Sequence, residues 1–111
     1  MKNIFLWQLK WMEMEEKVKE IISVVAKYYG LEPQDVLGKC RKGKLSNARS
    51  MAIFVLRMEL GTHIDKLADI FTMTMRCVFW HINKMSRYTE MYNDVKSDYL
   101  YILDELRREG N

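Results

Sequence analysis

Apolar residues recur every three or four positions along most of the chain, which is the spacing of one buried face of an α-helix. In the longest stripe the intervals alternate between three and four, as in a heptad, and its members are Ile4, Trp7, Trp11, Met14, Val18, Ile21, Val25 and Tyr28. We therefore expect one long amphipathic N-terminal helix. It should end at "YYGLEP", where Gly30 suits the left-handed position after a helix.

The next segment predicts a short helix, a loop and a longer helix. Pro33 suits the first turn of a second helix that runs to about Leu37. Ser46 or Asn47 can cap a third helix that ends near Leu60. The buried positions expected in this third helix have the helical period, and they are Met51, Ala52, Val55 and Leu56.

A fourth and a fifth helix are predicted on either side of a turn of about three residues. "THID" begins the fourth with a pattern like a capping box, formed by Thr62 and Asp65. Thr74 is a suitable cap for the fifth, from Met75 to about Tyr88. The inward residues are Ile64, Leu67, Ala68 and Phe71 in the fourth helix, and Val78, Ile82 and Met85 in the fifth. This arrangement is typical of a helix-turn-helix.

A last helix, from about Tyr92 to Arg108, completes the pattern with one apolar face that carries Val95, Tyr99, Ile102 and Leu106. No alternating strand pattern is left unassigned. We expect an all-α fold of five or six helices. In its helix-turn-helix Ala68 is small enough for close packing, while Thr72 stands where this motif commonly has glycine.

Charge is segregated along the chain although the net charge is only +3. Val36 to Arg57 holds six bases and no acid, and Ile70 to Thr89 holds three bases and no acid. The rest of the chain holds nine bases and all fifteen acids. Two acid-free basic windows indicate an anionic partner, although solvated helix faces and loops are also charged by chance.

The sequence argues against several classes of protein. The two cysteines and two histidines lack metal-ligand spacing, and neither a phosphate loop nor a nucleophile elbow is found. We expect no enzyme, no metal and no cofactor. No stretch approaches the ~20 apolar residues of a membrane span, and the N-terminus lacks a cleavage signal. We expect a cytoplasmic protein with reduced thiols.

The outward stripe of the fifth helix suits nucleic-acid recognition, because arginine can bond guanine and asparagine can bond adenine in the major groove. Its members are Arg76, Trp80, Asn83 and Arg87. The alternative is an ordinary charged face with Trp80 packed against the last helix. The basic loop, residues 39–44 within "KCRKGKLSNARSMA", would add phosphate contacts. We expect DNA to contact Lys39, Arg41, Lys42, Lys44, Arg49, Thr74, Arg76, Trp80, Asn83, Lys84 and Arg87.

Residues 21–106 resemble the C-terminal DNA-binding domain of the bacterial DnaA replication initiator, an all-α fold like that of the Trp repressor. The resemblance lies in "IISVVAKYYGLEPQDVLGKCRKGKLSNARSMAIFVLRMEL", "HIDKLADIF" and "INKM". It implies binding to double-stranded DNA. The loop arginine, here Arg41, would reach the minor groove, and Arg49 would contact phosphate or base nearby. Lys39 keeps the first base of the loop, and Cys40 replaces the second.

One departure from that family concerns base recognition. The family enters its recognition helix with Gly-Gly-Arg-Asp-His-Thr-Thr-Val, whereas this chain has "TMTMRCV", with only Val78 retained and Arg76 as the one strong base reader near the helix start. Recognition of the usual origin box is therefore not predicted. The chain also shows no nucleotide-binding domain, so we expect a stand-alone relative rather than an ATP-driven initiator.

The N-terminal stripe suggests a division into a helical extension, residues 1–20, and a DNA-binding domain, residues 21–108. Its large apolar groups, Trp7 and Trp11 among them, need cover. A homodimer through this helix would supply it, and so would folding back onto the last helix. Two other functions stay open: a protein-interaction module that no longer reads bases, and a single-strand or RNA binder that stacks bases on Trp80.

Overall fold

The structure, a computed structural model, describes residues 9–38 and 43–109. Within them residues 9–13 are helical, and six further helices follow: α1 Glu16–Tyr28, α2 Pro33–Leu37, α3 Gly43–Leu60, α4 Ile64–Ile70, α5 Met75–Met91 and α6 Asn93–Glu109. These two ranges contain no strand. The predicted all-α fold is confirmed.

Helix α3 forms the centre of the molecule. The nine consecutive residues from Ala48 to Leu56 are all buried, because α1, α2 and α5 pack around this helix. A helix that is surrounded on all sides needs apolar residues all round rather than one stripe. Helix α6 packs on α1 and α5 and contributes Ile102, which is fully buried.

The helix-turn-helix is formed by α4 and α5, which pack against each other. Thr72, in the turn after α4, has φ 52°, and Met73 N donates to Ala68 O at 3.0 Å. This left-handed ending usually falls to glycine, and a β-branched residue adopts it only under strain. The Thr72 hydroxyl accepts a hydrogen bond from Lys10 Nζ at 3.1 Å, so the strained turn is held by the N-terminal segment.

The expectation of one uninterrupted N-terminal helix is wrong within the described residues. The chain leaves the helix at Met14, and Glu15 is extended, with ψ 149°. The segment before it turns towards α4, where Lys10 Nζ donates to Asp69 O and Lys66 pairs with Glu15 at 2.9 Å. The break lets Trp11 and Met14 pack against the chain's own core.

Several predicted helix boundaries are confirmed and others are wrong. Gly30 has φ +70° after α1, and Pro33 begins α2. Helix α3 already includes Gly43, so neither Ser46 nor Asn47 caps it. The N-cap of α4 is His63 rather than Thr62, because the buried Thr62 hydroxyl donates to Leu56 O and serves the end of α3 instead.

The boundary predicted at residue 20 falls inside α1, which runs from Glu16 to Tyr28. Val18, on the N-terminal side of that boundary, is only 2% exposed and belongs to the core. The first turn of α1 is therefore part of the helical body.

Candidate nucleic-acid interface

The exposed face of α5 carries the side chains that the sequence singled out. Thr74 caps the helix as predicted, because its hydroxyl accepts a hydrogen bond from Cys77 N at 3.1 Å. Four side chains point to solvent along the helix, as the intervals of four, three and four predict. They are Arg76, Trp80, Asn83 and Arg87. The structure therefore places two arginines and one asparagine on one open surface.

Trp80 belongs to this open face and does not pack into the molecule. Its side chain is 58% exposed, which argues against the alternative that the last helix covers it. Lys84 Nζ lies 4.7 Å from the centre of the indole ring, a cation–π contact. Partial burial lowers the pKa of the Lys84 ammonium. Trp80 and Lys84 thus form one pre-arranged cationic and aromatic pair.

The opposite face of α5 is fixed to α3 through a polar pair inside the core. Ser50 Oγ and His81 Nδ1 lie 2.7 Å apart and share a hydrogen bond. Ser50 is completely buried and His81 is 8% exposed. Burial, with the nearby positive charges of Lys84 and Arg49, lowers the pKa of His81 to about 4. The imidazole is therefore neutral near pH 7 and positions α5 without adding charge.

The buried histidine gives a prediction for acid stability. The unfolded imidazole takes up its proton near pH 6.5 and the folded one near pH 4. Since the unfolded state binds more protons between these values, the stability from His81 is fully present above pH 6.5 and is lost as pH falls towards 4. Over that range, the free energy of unfolding of the wild type should fall by roughly 1–3 kcal/mol more than that of His81→Gln.

Urea titrations followed by circular dichroism at several pH values measure this difference. His63→Gln is the matched control, because His63 is exposed at the start of α4. Equal pH dependence in the wild type and in His81→Gln would show that His81 is not a neutral buried group.

Arg49 lies in different surroundings from those expected of a surface base. It is only 7% exposed, and its Nε donates to Val36 O at 3.2 Å, which ties α2 to α3. It lines a cleft of about 540 Å³ with Ser46 and with the residues where α5 begins, including Thr74, Cys77 and Trp80. Contact between Arg49 and DNA stays a prediction, and any such contact would have to be made through this cleft.

The cleft brings the first turns of α3 close to the start of α5. Ser46, in the first turns of α3, shares the cleft with Thr74 and Trp80. Gly43 begins α3 one turn before Ser46. Lys44 is exposed, with its ammonium beside Gly30. Lys39, Arg41 and Lys42 lie outside the described residues.

Two exposed apolar residues in the first half of α5 were missed by the sequence reasoning. Met75 is 53% exposed and Phe79 is 52% exposed. Phe79 lies three residues after Arg76 and four before Asn83, so the same helical spacing that found the arginine and the asparagine could have found it. The exposed face of α5 is therefore mixed, with apolar groups beside its polar ones.

Other kinds of site find little support in the part of the chain that the structure describes. Residues 9–38 and 43–109 contain no group of three or more acidic, histidine or cysteine side chains placed to hold a metal ion. Within the same ranges, no helix has the length and apolar character needed to cross a bilayer.

Comparison with known families decides where this fold belongs. The family model described as "Bacterial dnaA protein helix-turn-helix" matches residues 18–82, more than half of the chain. This chain is a member of the DnaA helix-turn-helix family. The match covers α2, α3 and α4, most of α1 and the first half of α5. Arg76, Phe79 and Trp80 lie within it, whereas Asn83 and Arg87 follow its end.

Curated DnaA proteins show the same relationship at low identity. "Chromosomal replication initiator protein DnaA 2" of Chlamydia caviae is 26% identical over 87 residues, which cover 75% of this chain and 19% of that protein. "Chromosomal replication initiator protein DnaA 1" of Chlamydia trachomatis is 27% identical over 88 residues, 79% of this chain and 19% of that protein. The DnaA protein of Pseudothermotoga lettingae is 26% identical over 77 residues, covering 69% and 17%. The chain spans about a fifth of the length of these relatives.

Proposed function

We propose that this chain binds double-stranded DNA, with the exposed face of α5 in the major groove and the basic loop on the neighbouring backbone. The observation that carries the proposal is the exposure of Arg76, Asn83 and Arg87 on one face of a helix capped at Thr74. An α-helix fits the major groove of B-DNA. Membership of the DnaA helix-turn-helix family supports the same function.

The members of this interface have different tasks. Arg76 lies in the first turn of α5, where the recognition helix of a helix-turn-helix meets base edges. Arg87 lies eleven residues later, about 16 Å along the helix, which suits a phosphate better than a base. Arg41 would enter the minor groove, and Lys39 and Lys42 would contact phosphates. Together, these five cations supply the electrostatic part of the affinity.

The salt dependence of duplex binding tests the proposal. About five phosphate or groove contacts predict a slope of log K against log salt near −4 to −5, so a fourfold rise in salt should weaken binding roughly 10²- to 10³-fold. Fluorescence anisotropy of a labelled duplex between 50 and 200 mM salt measures it. Absence of duplex binding at the lower salt would contradict the proposal.

A single strand of the same length serves as competitor in that titration. If it binds as well as the duplex, stacking on Trp80 becomes the better explanation. The mass of the free protein in sedimentation, measured on the same sample, separates the remaining alternative. A stable self-complex that ignores DNA would indicate a protein-interaction module.

Homodimerisation through Trp7 and Trp11 stays a prediction. Trp11 packs partly against the chain's own core, which leaves less of it for a partner, and Trp7 lies outside the described residues. A monomeric mass at micromolar concentration would contradict the dimer and would leave the DNA proposal intact.

A further inference from the structure

Phe79 lies at the side of the exposed face of α5, between Arg76 and Asn83 along the helix. It is 52% exposed, and it lies one helical turn from Arg76 on one side and one turn from Asn83 on the other. Arg76 and Asn83 are both exposed. In the proposed complex, a side chain between a guanine reader and an adenine reader would lie beside the edge of a neighbouring base pair. The phenyl ring of Phe79 has that position along α5.

Phe79 differs from its aromatic neighbour on the same helix. The indole of Trp80 is engaged by Lys84 Nζ at 4.7 Å and by the His81 ring, with centroids 5.0 Å apart. No ring contact involves Phe79 in the described part of the chain. Single exposed apolar side chains are common and carry no meaning by themselves. Here the position between two base-reading side chains gives the ring a specific surface to meet.

Resting on the proposed function, we propose that Phe79 recognises the C5 methyl group of thymine. In the major groove, this methyl is the one apolar group on the base edges, and phenylalanine is among the side chains that contact it. A thymine next to the base pairs read by Arg76 and Asn83 would bury the exposed ring and its own methyl together. The preferred duplex would then contain thymine between a guanine and an adenine contact.

The charges around the ring favour DNA over a protein as the occupant. Arg76 lies on the same face, Arg87 follows along the helix, and Lys84 stands beside Trp80. Ile70 to Thr89 contains no acid. An apolar patch framed by cations complements a groove lined by phosphates, whereas a second copy of this chain would bring the same positive charges together.

The experiment begins with duplexes selected by the wild-type protein from a random library. Each thymine of the preferred sequence is then replaced, one position at a time, by deoxyuridine. This exchange removes the methyl and keeps every base-pairing hydrogen bond. Removing one buried methyl should weaken binding about 3- to 5-fold at one or two positions and leave the other positions unchanged.

Two variants test whether the difference in affinity between thymine and deoxyuridine duplexes depends on Phe79. Phe79→Ala should bind thymine and deoxyuridine duplexes equally at the sensitive positions. Leu100→Ala is the matched control, because Leu100 is also 52% exposed but lies on α6, and it should keep the wild-type difference. Circular dichroism melting checks that both variants fold, and the wild-type arm does not depend on any variant.

The outcomes separate the two proposals. Duplex binding with no thymine–deoxyuridine difference at any position, or a difference that persists in Phe79→Ala, overturns the role of Phe79 and leaves DNA binding standing. A selection that returns no preferred sequence also overturns it. Failure of the wild type to bind any duplex overturns the proposed function itself.

Discussion

Replacing Lys39, Arg41 and Lys42 together with alanine is expected to weaken duplex binding at 0.1 M salt by about 10²- to 10³-fold. Each lost phosphate contact removes about 0.9 from the slope of log K against log salt, so the slope should fall by about 2.7. Anisotropy titrations at four or five salt concentrations measure both the loss of affinity and the change in slope.

The control for this variant keeps the change in net charge and moves it elsewhere. Lys17, Lys96 and Arg107 are exposed on α1 and α6, and their replacement by alanine also removes three positive charges. A contact mechanism predicts a nearly unchanged slope for this control. If both triple variants lose affinity equally, general attraction of DNA to a positively charged molecule would explain binding. The loop residues would then make no specific contact with DNA.

Arg76→Ala is expected to weaken binding to the preferred sequence by about 10- to 100-fold, because a bidentate contact with guanine is worth about 1–3 kcal/mol of discrimination. Binding to an unrelated duplex should change by much less, since Arg76 lies in the first turn of α5 and, in the proposed complex, would face bases rather than backbone. Parallel titrations with the preferred and the scrambled duplex measure the two losses.

Arg76→Lys provides the finer test of this contact. Lysine keeps the charge but lacks the planar fork of the guanidinium, so it should restore binding to the scrambled duplex and only part of the preference. Equal losses on both duplexes in Arg76→Ala would assign this arginine to a phosphate and would move base recognition elsewhere on α5.

Local chemistry made much of this fold readable from the sequence. Thr74 was predicted to cap α5 because a hydroxyl just before a helix can accept a hydrogen bond from a backbone N–H of the first turn. In the structure it accepts one from Cys77 N. The stop at Gly30 and the start at Pro33 depend equally on short-range backbone preferences. The outward face of α5 followed from helical spacing alone, once Val78 and Met85 were assigned to the core.

What the sequence could not provide depends on contacts between distant segments. The heptad from Ile4 to Tyr28 continues through Met14 and Glu15, yet the chain bends there because α4 offers Lys66 and the Asp69 carbonyl as partners. Thr62 has the sequence pattern of a helix N-cap, but its hydroxyl donates a hydrogen bond to Leu56 O at the end of α3 instead. Arg49 reads as a surface base, and only the approach of α2 shows that it is buried against Val36.

The order in which the core is completed has a consequence for synthesis. Ile102, fully buried, comes from the last helix, and the Tyr28 hydroxyl at the end of α1 donates to Asp98 of the same last helix. A nascent polypeptide still lacking α6 has already emerged with α1, but it cannot yet shield that side of the apolar interior. Final folding must therefore wait until α6 has left the ribosome, because Ile102 and Asp98 lie on that helix.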